Sequence, residues 1–109
     1  MAHEYIQVVT TTATREDAER IARSLVEERL AACAQVTGPI TSTYRWQGKI
    51  ETTAEWQCWA KSRGELWARI EAAIRRLHPY EVPEILAIPV LAGSPSYLAW
   101  LDEAVGRSQ

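Results

Sequence analysis

Two amphipathic helical segments on either side of a long hairpin constrain the fold of this chain more than any other feature. In the first segment, residues 18–30, apolar side chains recur at steps of three and four. Thr14 and Asp17 precede it with the spacing of a helix-capping signature, which predicts a helix start at that point. The second segment, residues 66–77, has the same spacing and ends before Pro79, because the residue preceding a proline disfavours helical geometry. Each helix is therefore expected to bury one apolar side.

The segments around the two helices favour strands. They are rich in β-branched or alternating apolar residues, and they span 5–12, 32–46, 50–61 and 84–91. Gln47-Gly48 predicts a tight turn between the second and third strands, and Gly38-Pro39 predicts a bulge or bend within the second. Ser94-Pro95 supplies a cap and a first helical residue for a short C-terminal helix.

The predicted order is β-α-β-β-α-β with a helix added at the C-terminus. This is the order of the ferredoxin-like split βαβ arrangement, so the fold class is α+β: a sandwich of two helices on one face of a four-stranded sheet. A chain of 109 residues buries about two-thirds of its surface on folding, which suffices for one core. We expect a single domain over residues 1–109.

The predicted sheet is apolar on both faces. Trp56 and Trp59 are an odd number of residues apart on one strand, so their side chains should point to opposite faces. In the fourth strand Ile85 and Leu91 share one face, and Leu86 and Ile88 share the other. Strands of this kind belong to sheets buried on both faces, whereas two helices cover only one. Self-association is the expected cover for the second face.

Charge and cysteine content narrow the possible functions. With 12 basic against 14 acidic side chains, the chain has no positive excess for a phosphate backbone, and nucleic-acid binding is not expected. No apolar run approaches the roughly 20 residues of a membrane span, and the first residues show no secretory signal pattern. The turn at Gln47-Gly48 should oppose Cys58 to residue 37, four residues from Cys33, so we expect no disulfide. These features predict a cytoplasmic protein with two reduced thiols.

The segment from His78 to Glu84 is the best candidate for a site. Its two prolines stiffen a connection that carries His78, Tyr80, Glu81 and Glu84. An alternative interpretation is that the prolines only end a helix and begin a strand, while the polar side chains satisfy nearby backbone groups. Lys61, at the end of the third strand, is either an anion-binding charge or an ordinary solvated lysine.

The sequence contains few residues that could bind a metal ion or catalyse a reaction. A structural zinc site needs four closely spaced ligands, which the sequence lacks, but copper accepts a thiolate or an imidazole. No nucleophile or nucleotide-binding motif is present, so an enzyme is not expected.

Several strings together resemble one known family over nearly the whole chain. They are VVT at 8–10, LVEERLAAC at 25–33, YRWQGKI at 44–50, Lys61, HPYEVPE at 78–84, Gly93 and YLAWL at 97–101. In these strings the chain resembles the CutA divalent-cation tolerance proteins. The resemblance implies a ferredoxin-like homotrimer assembled through sheet edges. It also implies a role in the response to copper and other divalent metal ions, with weak copper binding and no required cofactor.

The resemblance also implies two groups of site residues. The metal ligands would be His78 and Cys33. The residues of a ligand cleft, shared between subunits, would be Trp46, Lys61, Tyr80, Glu81 and Glu84. Some family members have a cysteine at the end of the first strand and a second histidine before the His-Pro pair. Here those positions are Thr10 and Leu77.

A second hypothesis belongs to a different class of protein. The chain could form a trimeric sensor or scaffold similar in architecture to the nitrogen-regulatory P-II proteins. It would then bind a small anion near Lys61 and the loop at 78–84, without metal chemistry.

Overall fold

The computed structural model describes residues 3–106, so the first two and last three residues of the predicted domain lie outside the described residues. Its elements are β1 (Tyr5–Thr12), α1 (Arg15–Glu27), β2 (Cys33–Trp46), β3 (Lys49–Arg63), α2 (Trp67–Leu77), β4 (Ile85–Pro89) and α3 (Pro95–Ala104). This succession confirms the predicted α+β class, the β-α-β-β-α-β order and the added C-terminal helix.

The four strands form one antiparallel sheet in the order β2-β3-β1-β4. Helices α1 and α2 pack on one face of it. The core between them consists mainly of aliphatic side chains: Ile6, Val8, Ala18, Ile21, Leu25, Cys58, Ala60, Ile70, Ala73 and Ile74. We call the opposite sheet face the open face.

Capping hydrogen bonds confirm the two helix starts that were predicted from Thr14 and Ser94. The Thr14 hydroxyl accepts a hydrogen bond from the Asp17 amide at 3.1 Å, and the Ser94 hydroxyl caps α3 in the same way. Helix α1 ends at Glu27, earlier than the predicted apolar stripe, because Arg29 adopts a left-handed φ of 57°. Leu30 is therefore buried from a loop and not from the helix.

A bulge at Gly38-Pro39 divides the long hairpin into two parts. From the Gln47-Gly48 turn to the Ile40–Glu55 pair, the register follows the predicted spacing, and beyond the bulge it shifts by one residue. Cys58 therefore faces Val36 and not residue 37, and Cys33 lies opposite Lys61. Both cysteines are free thiols.

Strand β4 is shorter than predicted. It ends at Pro89, which has no amide hydrogen for the ladder, and the next amide, that of Val90, donates to the Tyr5 carbonyl at 3.0 Å. The prediction that Leu91 lies on this strand is wrong: Leu91 follows it and is fully exposed. Leu86 and Ile88 lie on the open face and are about half exposed, as the alternation predicts.

Helix α3 covers one end of the open face through a buried ion pair. Arg63 at the end of β3 pairs with Asp102 of α3, and these residues are 6% and 9% exposed. The Tyr5 hydroxyl also donates to the Asp102 carboxylate at 3.1 Å. Among the described residues, no helix is both long enough and apolar enough to cross a membrane.

Candidate functional site

The hairpin extends past the end of β1 and leaves a cavity along one side of it. Strand β1 pairs with β3 only as far as Thr12 and Trp56, so residues 40–55 form a two-stranded arm beyond it. The loop at 78–84 lies against this arm and borders an open cavity of about 530 Å³. We call it the arm cavity. Its principal lining residues are three aromatic and three acidic: Tyr44, Trp46, Tyr80, Glu55, Glu81 and Glu84.

The register of the hairpin determines which side chains of β2 reach the arm cavity. Before the bulge, odd-numbered residues such as Gln35 share the open face with Trp59 and Lys61. After it, Ile40 is paired with Glu55, so the even-numbered residues, including Tyr44 and Trp46, share the face of Glu55. The Gln47-Gly48 turn sets these pairs, and the bulge absorbs the one extra residue of β2 without changing them.

Glu55 is the most buried acidic group of the cavity. It is 7% exposed, and its Oε2 accepts a hydrogen bond from the Tyr80 hydroxyl at 2.8 Å. Burial, together with this bond, raises the pKa of Tyr80, so the hydroxyl keeps its proton. Partial burial and the neighbouring charge of Glu55 also raise the pKa of Glu84.

His78 holds the loop in place with both ring nitrogens. Its Nδ1 accepts a hydrogen bond from the Tyr80 amide at 3.1 Å, which assigns the ring proton to Nε2. Nε2 then donates to the Thr11 carbonyl at 2.7 Å. Because the ring is buried and both nitrogens are engaged, His78 positions Tyr80 over the cavity. The interpretation of His78 as a residue that satisfies nearby backbone groups agrees with this geometry.

The structure does not bring the two predicted metal ligands together within one chain. Cys33 lies opposite Lys61, which pairs with Gln7, whereas His78 binds Thr11, four residues away along β1. That separation is about 13 Å. Over residues 3–106, no three His, Cys, Asp or Glu side chains are grouped closely enough to hold a metal ion.

The two positions that depart from the family pattern do not supply a ligand either. Thr10 is buried with its hydroxyl unpaired, and Leu77 packs against the core. The residues present therefore do not fit a copper site of the predicted kind within a single chain.

The predicted ligand cleft is brought together except for one member. Trp46, Tyr80, Glu81 and Glu84 line the arm cavity. Lys61 lies outside it, near the other end of β1, where its Nζ donates to Gln35 at 3.1 Å. Within one chain, Lys61 is therefore not part of the cleft. It pairs with Gln7 of β1, whereas the cavity is lined by Thr11, four residues further along that strand. Within residues 3–106, no basic side chain lines the cavity, so it does not match the anion site of the second hypothesis.

Sequence reasoning missed the most buried acidic residue of the cavity. Glu55 was not among the predicted site residues. Its burial depends on the point at which β1 ends beside β3, a register that local patterns do not give. Tyr44 was likewise missed as a lining residue, although Trp46, two positions along the same strand face, was included.

Comparison with known proteins identifies the family of this chain. The sequence profile of the CutA1 divalent ion tolerance protein family matches residues 6–104. The "Divalent-cation tolerance protein CutA" of Thermus thermophilus is 41% identical over 91% of this chain and 96% of that protein. "Protein CutA, chloroplastic" of Arabidopsis thaliana is 38% identical over 91% of this chain, which spans 54% of that protein.

A solved structure agrees with the fold as well as the sequence. The periplasmic divalent cation tolerance protein CutA of Archaeoglobus fulgidus superposes with a TM-score of 0.90 at 39% identity, covering 93% of this chain and 98% of that one. The sheet order, the added helix and the sequence match therefore lead to the same assignment: this chain belongs to the CutA1 divalent ion tolerance family.

Proposed function

We propose that this chain acts in tolerance to divalent cations, as a homotrimer that binds ligands and does not catalyse a reaction. The observation that carries the proposal is the family match over residues 6–104, together with relatives named for divalent-cation tolerance. A binding role is also supported by His78, since its two ring nitrogens are engaged in holding a loop and are not available for proton transfer.

Two features of the sheet support self-association. The arm at residues 40–55 is a two-stranded ribbon, and such a ribbon is marginally stable when nothing packs on it. On the open face, the side chains of Leu86 and Ile88 are about half exposed. A second and third copy would cover both features. Sedimentation equilibrium tests this: a mass three times 12.3 kDa supports the trimer, and a mass of 12.3 kDa at all concentrations contradicts it.

The proposed copper binding is weak and uses the accessible thiol. Cys33 is partly exposed, whereas Cys58 is buried and His78 would have to give up a hydrogen bond to coordinate. Calorimetric titration with copper(I) under reducing conditions tests the proposal. We expect weak heat in the unmodified protein, loss of that heat in Cys33→Ser, and no change in His78→Gln. No measurable heat in the unmodified protein contradicts direct copper binding.

The compartment stays a prediction. Relatives carry the words chloroplastic and periplasmic in their names, so membership of the family is compatible with more than one location. We propose the cytoplasm, on the basis of the two unpaired thiols. A fluorescent fusion that localises elsewhere in the cell of origin would contradict it.

A further inference from the structure

Helix α3 is attached to the sheet by very few buried side chains. Of its ten residues, all of them described, only Leu101 and Asp102 are buried. The two aromatic side chains of the helix, Tyr97 and Trp100, are 40% and 47% exposed. A helix of this length has little stability of its own in water, so its presence depends on the groups that hold it against the sheet.

The buried polar attachment of α3 converges on one carboxylate. Asp102 pairs with Arg63 of β3 and accepts a hydrogen bond from the Tyr5 hydroxyl of β1 at 3.1 Å. The Arg63 guanidinium also lies over the Tyr5 ring, 5.0 Å from its centroid. A further hydrogen bond, from Arg29 to the Ala104 carbonyl at 3.1 Å, is exposed to solvent. Asp102 therefore joins α3 to two strands at once.

The other carboxylates around Arg63 cannot replace Asp102 in this role. Glu4, just before β1, and Glu65, just after β3, also pair with Arg63, and both side chains are at least half exposed. Because neither belongs to α3, their pairing holds the guanidinium but not the helix. Glu103, the next residue of α3, is exposed.

The segment between β4 and α3 allows the helix to move as a unit. Residues 91–94 lie outside any helix or strand and are exposed. They follow the Val90 amide, which is still bound to the sheet, and they lead into a helix that has its own cap at Ser94. Elements with few buried contacts and exposed connections open at the lowest free energy, so α3 is the element expected to open first.

We infer that α3 is an acid-released strap: the charged form of Asp102 holds it on the sheet, and protonation of that carboxyl frees it while the rest of the domain stays folded. Pairing with Arg63 favours the charged carboxylate, so the strap is held at neutral pH and released as pH falls. Release uncovers the end of the open face that α3 covers. The surface that one copy presents to another thereby depends on acidity, which goes beyond a role in cation tolerance.

Hydrogen exchange of the intact protein, read by mass spectrometry of its peptides, tests the inference without any variant. Dividing the rate of an unfolded peptide at the same pH by the observed rate gives a protection factor for each element. At about pH 2.5, more than one unit below the ordinary pKa of an aspartate, we expect α3 to have lost its protection while α1 stays protected at least about hundredfold. Loss of protection in both helices together, or a protected α3, overturns the inference.

Variants identify the group that acts. Asp102→Asn has no charge at any pH, so α3 should lack protection already at pH 7, with α1 still protected. Arg63→Met combined with Asp102→Leu replaces the ion pair by apolar contacts, and α3 should then stay protected at both pH values. A double variant that releases α3 in acid as the unmodified protein does overturns the inference. Glu103→Gln is the matched control and should follow the unmodified protein.

Two further outcomes are decisive. If a neighbouring copy holds α3 in the assembled protein, the helix keeps its protection at about pH 2.5, and the inference is overturned. If Asp102→Asn does not fold, as judged by circular dichroism, Tyr5→Phe replaces it. This variant removes one hydrogen bond to the carboxylate and should lower the protection of α3 at pH 7 by about two- to tenfold. An unchanged α3 in Tyr5→Phe counts against the inference.

Discussion

The Arg63–Asp102 ion pair is expected to be the polar interaction on which the position of α3 depends most. Asp102→Asn keeps the shape of the side chain and removes its charge, leaving a guanidinium that is 7% exposed without its most buried partner. Breaking a buried ion pair from one side costs about 3–5 kcal/mol. Arg63 retains Glu65 at 2.6 Å, a half-exposed carboxylate that compensates part of the charge. We therefore expect the lower end, about 3 kcal/mol.

Urea unfolding, followed by tryptophan fluorescence at one fixed protein concentration, measures this loss. A decrease of about 3 kcal/mol also corresponds to a fall in Tm of roughly 12–24 °C for a domain of this size. Glu65→Gln is the control: because its carboxylate is half exposed, we expect a loss of at most about 1 kcal/mol.

A double variant separates the ion pair from simple loss of packing. Arg63→Met with Asp102→Leu removes both charges and should recover most of the stability lost in Asp102→Asn, since no uncompensated charge stays buried. If Asp102→Asn is no more destabilising than Glu65→Gln, the reasoning about buried charge is refuted. The same holds if the double variant is less stable than Asp102→Asn.

The remaining predictions concern backbone geometry, thiol reactivity and pH. Gly38→Ala should be about 1–3 kcal/mol less stable than Gly48→Ala in urea unfolding, because its Cβ would lie 2.6 Å from a carbon of the adjoining indole whereas that of residue 48 meets nothing; equal losses would contradict this. With an aromatic disulfide reagent, Cys33 should react in the folded protein while Cys58, whose pKa burial raises to about 12, should not. Rapid labelling that persists in Cys33→Ser would show this to be wrong. Because partial burial raises the pKa of Glu84, its charged form is disfavoured in the folded state, and its contribution to stability is lost as pH rises through the raised pKa. Glu84→Gln should therefore raise Tm near neutral pH, and the gain should vanish below about pH 4, where the carboxyl is protonated in both states; the same gain at both pH values would refute it.

The helices, strands and turns were predictable because their signals are local. Thr14 caps α1 through an amide three residues away, and Gln47-Gly48 turns the hairpin between adjacent strands. The cavity was only partly predictable, because it depends on contacts between distant residues. The Glu55–Tyr80 hydrogen bond joins residues 25 positions apart, and it requires both the length of β1 and the path of the loop after α2.

The role of His78 also depends on a contact with a residue that is distant in the sequence. Its residue type and its place beside a proline predicted either a ligand or a structural residue, and the sequence alone could not distinguish them. The distinction comes from Thr11, 67 positions away, whose carbonyl occupies one ring nitrogen. The role of a histidine at the end of a helix depends on the groups that bond to its ring nitrogens, and here one of those groups belongs to β1.

The bulge at Gly38-Pro39 absorbs one extra residue of β2 opposite Trp56. Tyr44 and Trp46 share the face of Glu55 because the Gln47-Gly48 turn pairs them with Glu51 and Lys49, and these odd-numbered residues of β3 alternate in phase with Glu55. Deleting one residue of the bulge would leave those pairs in place and would only make the ladder regular. The aromatic wall of the cavity is therefore insensitive to the number of residues in the bulge, because the turn fixes which side chains of β2 lie beside Glu55.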